Sequence, residues 1–194
     1  QKEIAKYIDK DHRLLKPYNS AEGTPGVGYN IFQSNCGKVI AVINLIGNVF
    51  MKANDNPFKK IDEVIKEIEK KDIHFIFVDF HAEATSEKVA MGHHLDGKVT
   101  AVVGTHQHIP TADAHILNKG TAYQTDAGMC GDYNSIIGME KDTILEKFRG
   151  YETKNRFTPA LGEATLCGVV IESKSDSFLA KSITPFKQGG VLGL

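Results

Sequence analysis

Ile73-His-Phe-Ile-Phe-Val-Asp-Phe80, followed directly by His81, is the stretch on which the fold turns. It is an apolar run of strand length, rich in β-branched and aromatic residues, with one acid at its penultimate position. A strand that reads as nearly continuous hydrophobicity is covered on both faces. Upstream, Lys38-Val-Ile-Ala-Val-Ile-Asn-Leu-Ile46 has the same character, and downstream Val99-Thr-Ala-Val-Val103 repeats it. Between the first two runs, Pro57 suits the first turn of a helix. Ile61, Val64, Ile65 and Ile68 then recur at helical spacing, with Glu63, Lys66, Glu67 and Lys70 on the other face. Between the later two, residues 85–91 fit a short helix with Thr85 or Ser86 near its start. Strands alternating with helices predict an α/β protein.

Gly28-Tyr-Asn-Ile31-Phe32 is a further apolar run and residues 121–125 a further strand. Residues 142–148 read as a helix, and 165–171 with 178–183 as a closing antiparallel pair. The sum is a mixed α/β sandwich. Gly23-Thr-Pro25-Gly26-Val-Gly28 is a turn-rich connector; no Lys-Ser/Thr or helix-forming run follows it, so a phosphate loop is not indicated. The chain opens as Gln1-Lys-Glu-Ile4-Ala-Lys-Tyr7-Ile8, which reads as a helix already under way, with Ile4, Tyr7 and Ile8 on one face and no cap before it. That opening is expected to be a cut.

The 194 residues are enough to bury a core without disulfides or structural zinc. Lys+Arg is 23 against Asp+Glu 24, a net charge of −1, so bulk electrostatics do not signal a nucleic-acid or membrane binder. RNA as a partner is compatible with the sequence but not signalled, and so is a homo-oligomer. The longest apolar stretch is interrupted by Asn44 and too short for a bilayer, so no membrane is expected. Cys36, Cys130 and Cys167 are odd in number and lack CxxC spacing, which favours reduced thiols in a cytoplasmic protein.

Of the eight histidines, five fall between positions 81 and 108. His81 follows one strand, and His106 and His108 follow the strand that ends at Val103-Gly104. Ligands of α/β sheets bind at the carboxyl ends of strands, and residues i and i+2 of an extended segment share a face. Three imidazoles at successive strand ends therefore predict a metal site, since neutral imidazole suits zinc, iron and manganese. Gly104 is expected to allow close approach to a ligand. Asp79, Glu83, Asp113 and Asp126 are near enough in sequence to hold imidazole N–H groups. His93 and His94 sit at a helix exit and read as surface residues. No GxSxG elbow marks a serine triad.

Val78-Asp-Phe-His81-Ala-Glu-Ala-Thr-Ser-Glu-Lys88, Val103-Gly-Thr-His106-Gln-His108-Ile-Pro-Thr-Ala-Asp113 and Gly120-Thr-Ala-Tyr-Gln-Thr-Asp126-Ala-Gly-Met129 resemble signatures of the YmdB-like metallophosphoesterases. These are calcineurin-like phosphodiesterases acting on 2′,3′-cyclic nucleotides, and the resemblance runs from Gln1 to about Ile183. It implies a calcineurin-like α/β/β/α sandwich with mixed sheets and two divalent metal ions, iron or manganese ahead of zinc. Position by position it implies His81 and His106 as ligands of one metal and His108 as a ligand of the other. The family's Asp, bridging Glu and Asn ligands, and a catalytic His, belong to motifs not found after Gln1. The chain thus reads as the C-terminal two-thirds of one metallophosphoesterase domain over residues 1–194, its catalytic His expected before residue 1 and its own catalysis expected to be negligible. The implied reaction is hydrolysis of a cyclic nucleotide or other small phosphodiester by metal-activated water. On the residues alone, two other readings stay open: a mononuclear zinc hydrolase or lyase, and a non-catalytic metal-binding regulatory module.

Overall fold

The computed structural model of the chain describes residues 4–52, 54–152 and 156–193. Six strands form one sheet: β1 (Tyr29–Gln33), β2 (Val39–Ile46), β3 (Phe75–His81), β4 (Ala101–Thr105), β5 (His115–Ile116) and β6 (Ala122–Gln124). Their order is β1-β2-β3-β4-β6-β5, with β2, β3, β4 and β6 mutually parallel and the two edge strands antiparallel. A second, antiparallel sheet joins β7 (Cys130–Asp132), β8 (Ala164–Ser173) and β9 (Ala180–Gln188).

Parallel neighbours need crossovers; two are helical, and the third, from β4 to β6, runs through β5. α1 (Pro57–Ile68) links β2 to β3, and α2 (Thr85–Leu95) links β3 to β4. α1 begins as its sequence predicts: Asn56 Oδ1 accepts the Phe58 and Lys59 N–H groups, and Pro57 fills the first helical position. Ile61, Val64, Ile65 and Ile68, with Met91 and Leu95 of α2, pack on Ala41, Ile43, Leu45, Ile76, Val78 and Phe80. Alternate strand residues face the other way. There Ala101, Ala122 and Phe77 meet Ala180, Ile171 and Ile183 of the smaller sheet. Helices α1 and α2, the mixed large sheet and the antiparallel small sheet thus stack in order, three layers of the expected α/β/β/α sandwich, with one sheet mixed and not both. A third helix, α3 (Lys141–Phe148), lies between β7 and β8 in the chain.

Two local expectations need correction, and two short strands carry no sequence signal. The N-terminal helix is a single 3-10 turn, Ile4–Lys6, in its described part; residues 1–3 lie outside the described residues. Ile4 and Tyr7 are exposed and only Ile8 is buried, against Gly26, because the turn has no sheet face to cover. α2 has no side-chain cap, and Ala84 precedes it with the Lys88 N–H on its carbonyl. β5 and β7, two and three residues long, fall below the length at which periodicity signals a strand.

Candidate functional site

The strand register puts the polar exceptions of an apolar sheet in one place. Asn44 pairs with Asp79, and His81 lies between Ile46 and Thr105, all at the carboxyl ends of parallel strands. Since Ile43, Val78 and Val102 face the helices, alternation turns Asn44, Asp79, His81 and Thr105 to the opposite face. They form a hydrogen-bonded series. Asn44 Nδ2 donates to Asp79 Oδ2 at 2.7 Å, and Thr105 Oγ1 donates to Asp79 Oδ1 at 3.2 Å. With its proton committed to Asp79, Thr105 Oγ1 accepts from His81 Nδ1 at 3.1 Å. The Nδ1–H tautomer leaves the lone pair of His81 on Nε2.

His106 meets that lone pair. Its Nδ1 is 3.1 Å from His81 Nε2, and the two rings stand edge to face at 4.9 Å. Its other nitrogen, Nε2, is paired with the Glu83 carboxylate. Burial, with the neighbouring His106 second, holds the His81 imidazole below its ordinary pKa and so favours the neutral form. Burial pushes the Asp79 carboxyl up, against the hydrogen bonds from Thr105 and Asn44.

His108 takes a different partner: its Nδ1 lies 2.9 Å from the Ile137 carbonyl. Both His106 and His108 have positive φ, 124° and 63°, so the segment is a strained loop and not the extended ladder that i, i+2 reasoning assumes. Among the described residues, no group of three or more His, Cys, Asp or Glu side chains is arranged to hold a metal ion. The donor set still fits one in part. Nitrogens 3.1 Å apart, at metal–nitrogen bonds of about 2.0–2.1 Å, subtend about 100°, the angle of adjacent ligands on one ion. Each ring has its remote nitrogen hydrogen-bonded, His81 to Thr105 and His106 to Glu83, as ligating imidazoles characteristically do.

Of the acids singled out in the sequence, Glu83 holds His106 and Asp79 reaches His81 through Thr105. Asp113 instead accepts from Thr111 and Thr125, and Asp126 pairs with Lys88. His94 bridges to Asp62 of α1 at 2.9 Å, and His93 is exposed. Gly104 does allow a close approach, but of protein: a Cβ there would collide with the Thr125 carbonyl oxygen and sit 2.7 Å from Lys88 Cδ. Sequence reasoning missed Lys88, Thr105 and Glu87, whose carboxylate holds the Asn48 and Val49 N–H groups. One signal was present. Lys88 falls at i, i+3, i+7 with Met91 and Leu95, on the buried face of α2.

Comparison with known proteins places this geometry in a family. The chain is 52% identical over 172 residues to a Bacillus subtilis protein named 2′,3′-cyclic-nucleotide 2′-phosphodiesterase, a match covering 89% of the chain and 64% of that protein. It is 40% identical over 177 residues to a Mycoplasma pneumoniae protein, covering 88% of the chain and 61% of the relative. The matches therefore span just under two thirds of the length of each of these two relatives. Two solved structures share the fold. One is a hypothetical protein from Thermus thermophilus, with TM-score 0.88 and 36% identity, covering 98% of this chain and 73% of that one. The other is described as a novel phosphatase from Mycoplasma pneumoniae, with TM-score 0.85 and 33% identity, covering 97% of this chain and 68% of that one. Residues 1–186 match the model of the YmdB-like proteins, and the chain belongs to that family.

Proposed function

We propose that the chain carries the histidine side of a two-metal phosphodiesterase site that hydrolyses cyclic nucleotides such as 2′,3′-cAMP. The observation that supports it is the pairing of His81 Nε2 with His106 Nδ1 at 3.1 Å, at the ends of parallel strands. Similarity to a relative named as a 2′,3′-cyclic-nucleotide 2′-phosphodiesterase supplies the substrate class. His81 and His106 would hold one divalent ion and His108 the other, iron or manganese ahead of zinc. When bound, such ions supply an activated water and neutralise charge on the phosphoryl oxygens.

The chain's own residues orient and hold protons. Thr105 keeps the His81 proton on Nδ1, and Glu83 accepts the Nε2–H of His106, so both inner nitrogens present lone pairs when ligating. Asp79 and Asn44 fix Thr105 in turn. No catalytic acid for the leaving oxygen is assigned within residues 1–194. Free thiols at Cys36, Cys130 and Cys167 support a cytoplasmic setting.

The test is hydrolysis of 2′,3′-cAMP by the intact protein, with added Mn²⁺ and after chelation. Turnover should require the metal, and His106→Ala should lower kcat/KM by at least about 10–100-fold, the loss that removing even an outer partner of a metal ligand brings. Full turnover after chelation, or an unimpaired His106→Ala variant, would falsify the proposal.

A further inference from the structure

We infer that the buried Lys88–Asp126 ion pair is a positioning element that holds the 106–108 loop in the conformation its histidines require. The inference rests on the reading of His81 and His106 as metal ligands.

Lys88 is 1% exposed, on the face of α2 that packs against the sheet. Its stem passes Gly104, where a side chain would collide with it. Its Nζ ends 3.1 Å from Asp126 Oδ2 and 3.3 Å from the Thr105 carbonyl. Asp126, fully buried just past β6, also accepts the Gln107 N–H on Oδ2 at 2.8 Å and the Gly128 N–H on Oδ1 at 2.9 Å. One carboxylate thus ties helix α2, the loop after β4 and the loop after β6.

Gln107 is the residue between the two strained histidines. Both of its donors are committed, the backbone N–H to Asp126 and Nε2 to the Glu83 carbonyl at 2.8 Å. Non-glycine residues at positive φ persist only where their surroundings over-determine them. Here they include Asp126 and Glu83 at Gln107 and, at His108, the Ile137 carbonyl and the Tyr133 hydroxyl. Glu83 also pairs with His106 through its carboxylate, so this residue holds the loop by its backbone carbonyl and aims the ring by its side chain, while Asp126 holds the loop backbone.

Net stability does not explain a charge pair in this place. Apolar residues of similar volume commonly replace buried ion pairs without loss. What an apolar pair cannot do is accept two backbone N–H groups from different loops. An asparagine cannot either: with a single acceptor oxygen, it must set its NH₂ against Gln107 N or Gly128 N. Lys88 supplies the partner that a buried carboxylate needs, because an unpaired charge there would be costly.

The experiment uses the intact protein with Asp126→Asn and with Lys88→Met/Asp126→Asn. Three readouts are taken: thermal unfolding, Mn²⁺ affinity by calorimetry, and imidazole ¹⁵N–¹H spectra of the metal-free protein. The double variant is expected to unfold cooperatively near the wild-type temperature, while the His81 and His106 ring signals move and Mn²⁺ affinity falls about 10–100-fold. A folded double variant with wild-type ring signals and Mn²⁺ affinity within about twofold overturns the inference, since outer partners of ligands normally cost more. Both variants unfolding also overturns it, making the pair a determinant of folding alone. Wild-type protein that binds no Mn²⁺ defeats the metal reading instead, and the ring spectra then decide the positioning role separately.

Discussion

Thr105 serves two partners with one hydroxyl, donating to Asp79 and accepting from His81. Thr105→Val keeps the shape and removes both bonds, so His81 loses what fixes its tautomer. Mn²⁺ affinity and cyclic-nucleotide turnover should fall about 10–100-fold, while stability falls by only about 1–3 kcal/mol. Titration calorimetry beside urea unfolding separates the two, and unchanged affinity would show that His81 is oriented by other means. Asp113 is a second case at this scale. Burial raises its pKa, but hydrogen bonds from Thr111 and Thr125 outweigh that and hold it below the ordinary 3.8. A carboxyl depressed on folding adds stability that is present above pH 3.8 and is lost as pH falls through its folded value. The urea midpoint of Asp113→Asn should therefore decline less steeply than wild type below about pH 4. Parallel profiles would remove Asp113 from the acid response.

At the scale of elements, β4 can pass α2 and β6 only because residue 104 has no side chain. Gly104→Ala would drive a Cβ into the Thr125 carbonyl oxygen, a backbone atom that cannot rotate away. The expected loss is about 1–3 kcal/mol or more, visible as a lower unfolding midpoint, and a neutral effect would mean that β4 and β6 separate more readily than their pairing implies. The strands β2, β3 and β4 and helix α1 were legible because their apolar runs are long and their periods unambiguous. α2 was legible as a helix but short by its last turn, since Gly92, His93 and His94 do not continue an apolar stripe. Gly92 is there for packing, with a Cβ position 2.5 Å from the Tyr123 ring. No single-chain periodicity reports a contact of that kind.

For the whole molecule, the two sheets approach each other through small side chains: Ala101 and Ala122 from one, Ala180 from the other, each at most 1% exposed. Ala180→Leu would wedge the sheets apart at a point where the Ala180 N–H also bonds the Gly120 carbonyl. A loss of about 1–3 kcal/mol is expected from overpacking, measured as a lower Tm, and an undiminished Tm would mean that the interface has slack. Ala101 shares a strand and a sheet face with Thr105, which holds His81, so on the proposed metal reading the same wedge should also weaken Mn²⁺ binding. Hydrophobic period and chain order are local properties, and they suffice for the alternation of strands and helices, the sandwich, and the placing of His106 and His108 past the end of a strand; His81, expected just after a strand, is instead the last residue of β3, paired with Ile46 and Thr105. It takes tertiary packing to turn His106 to His81 and His108 to Ile137, to set Glu83 and Thr105 against the two rings, and to bring the Lys88–Asp126 pair to the Gln107 N–H. Those relations depend on strand register and on two left-handed loop residues, which packing between distant segments imposes and no local pattern encodes.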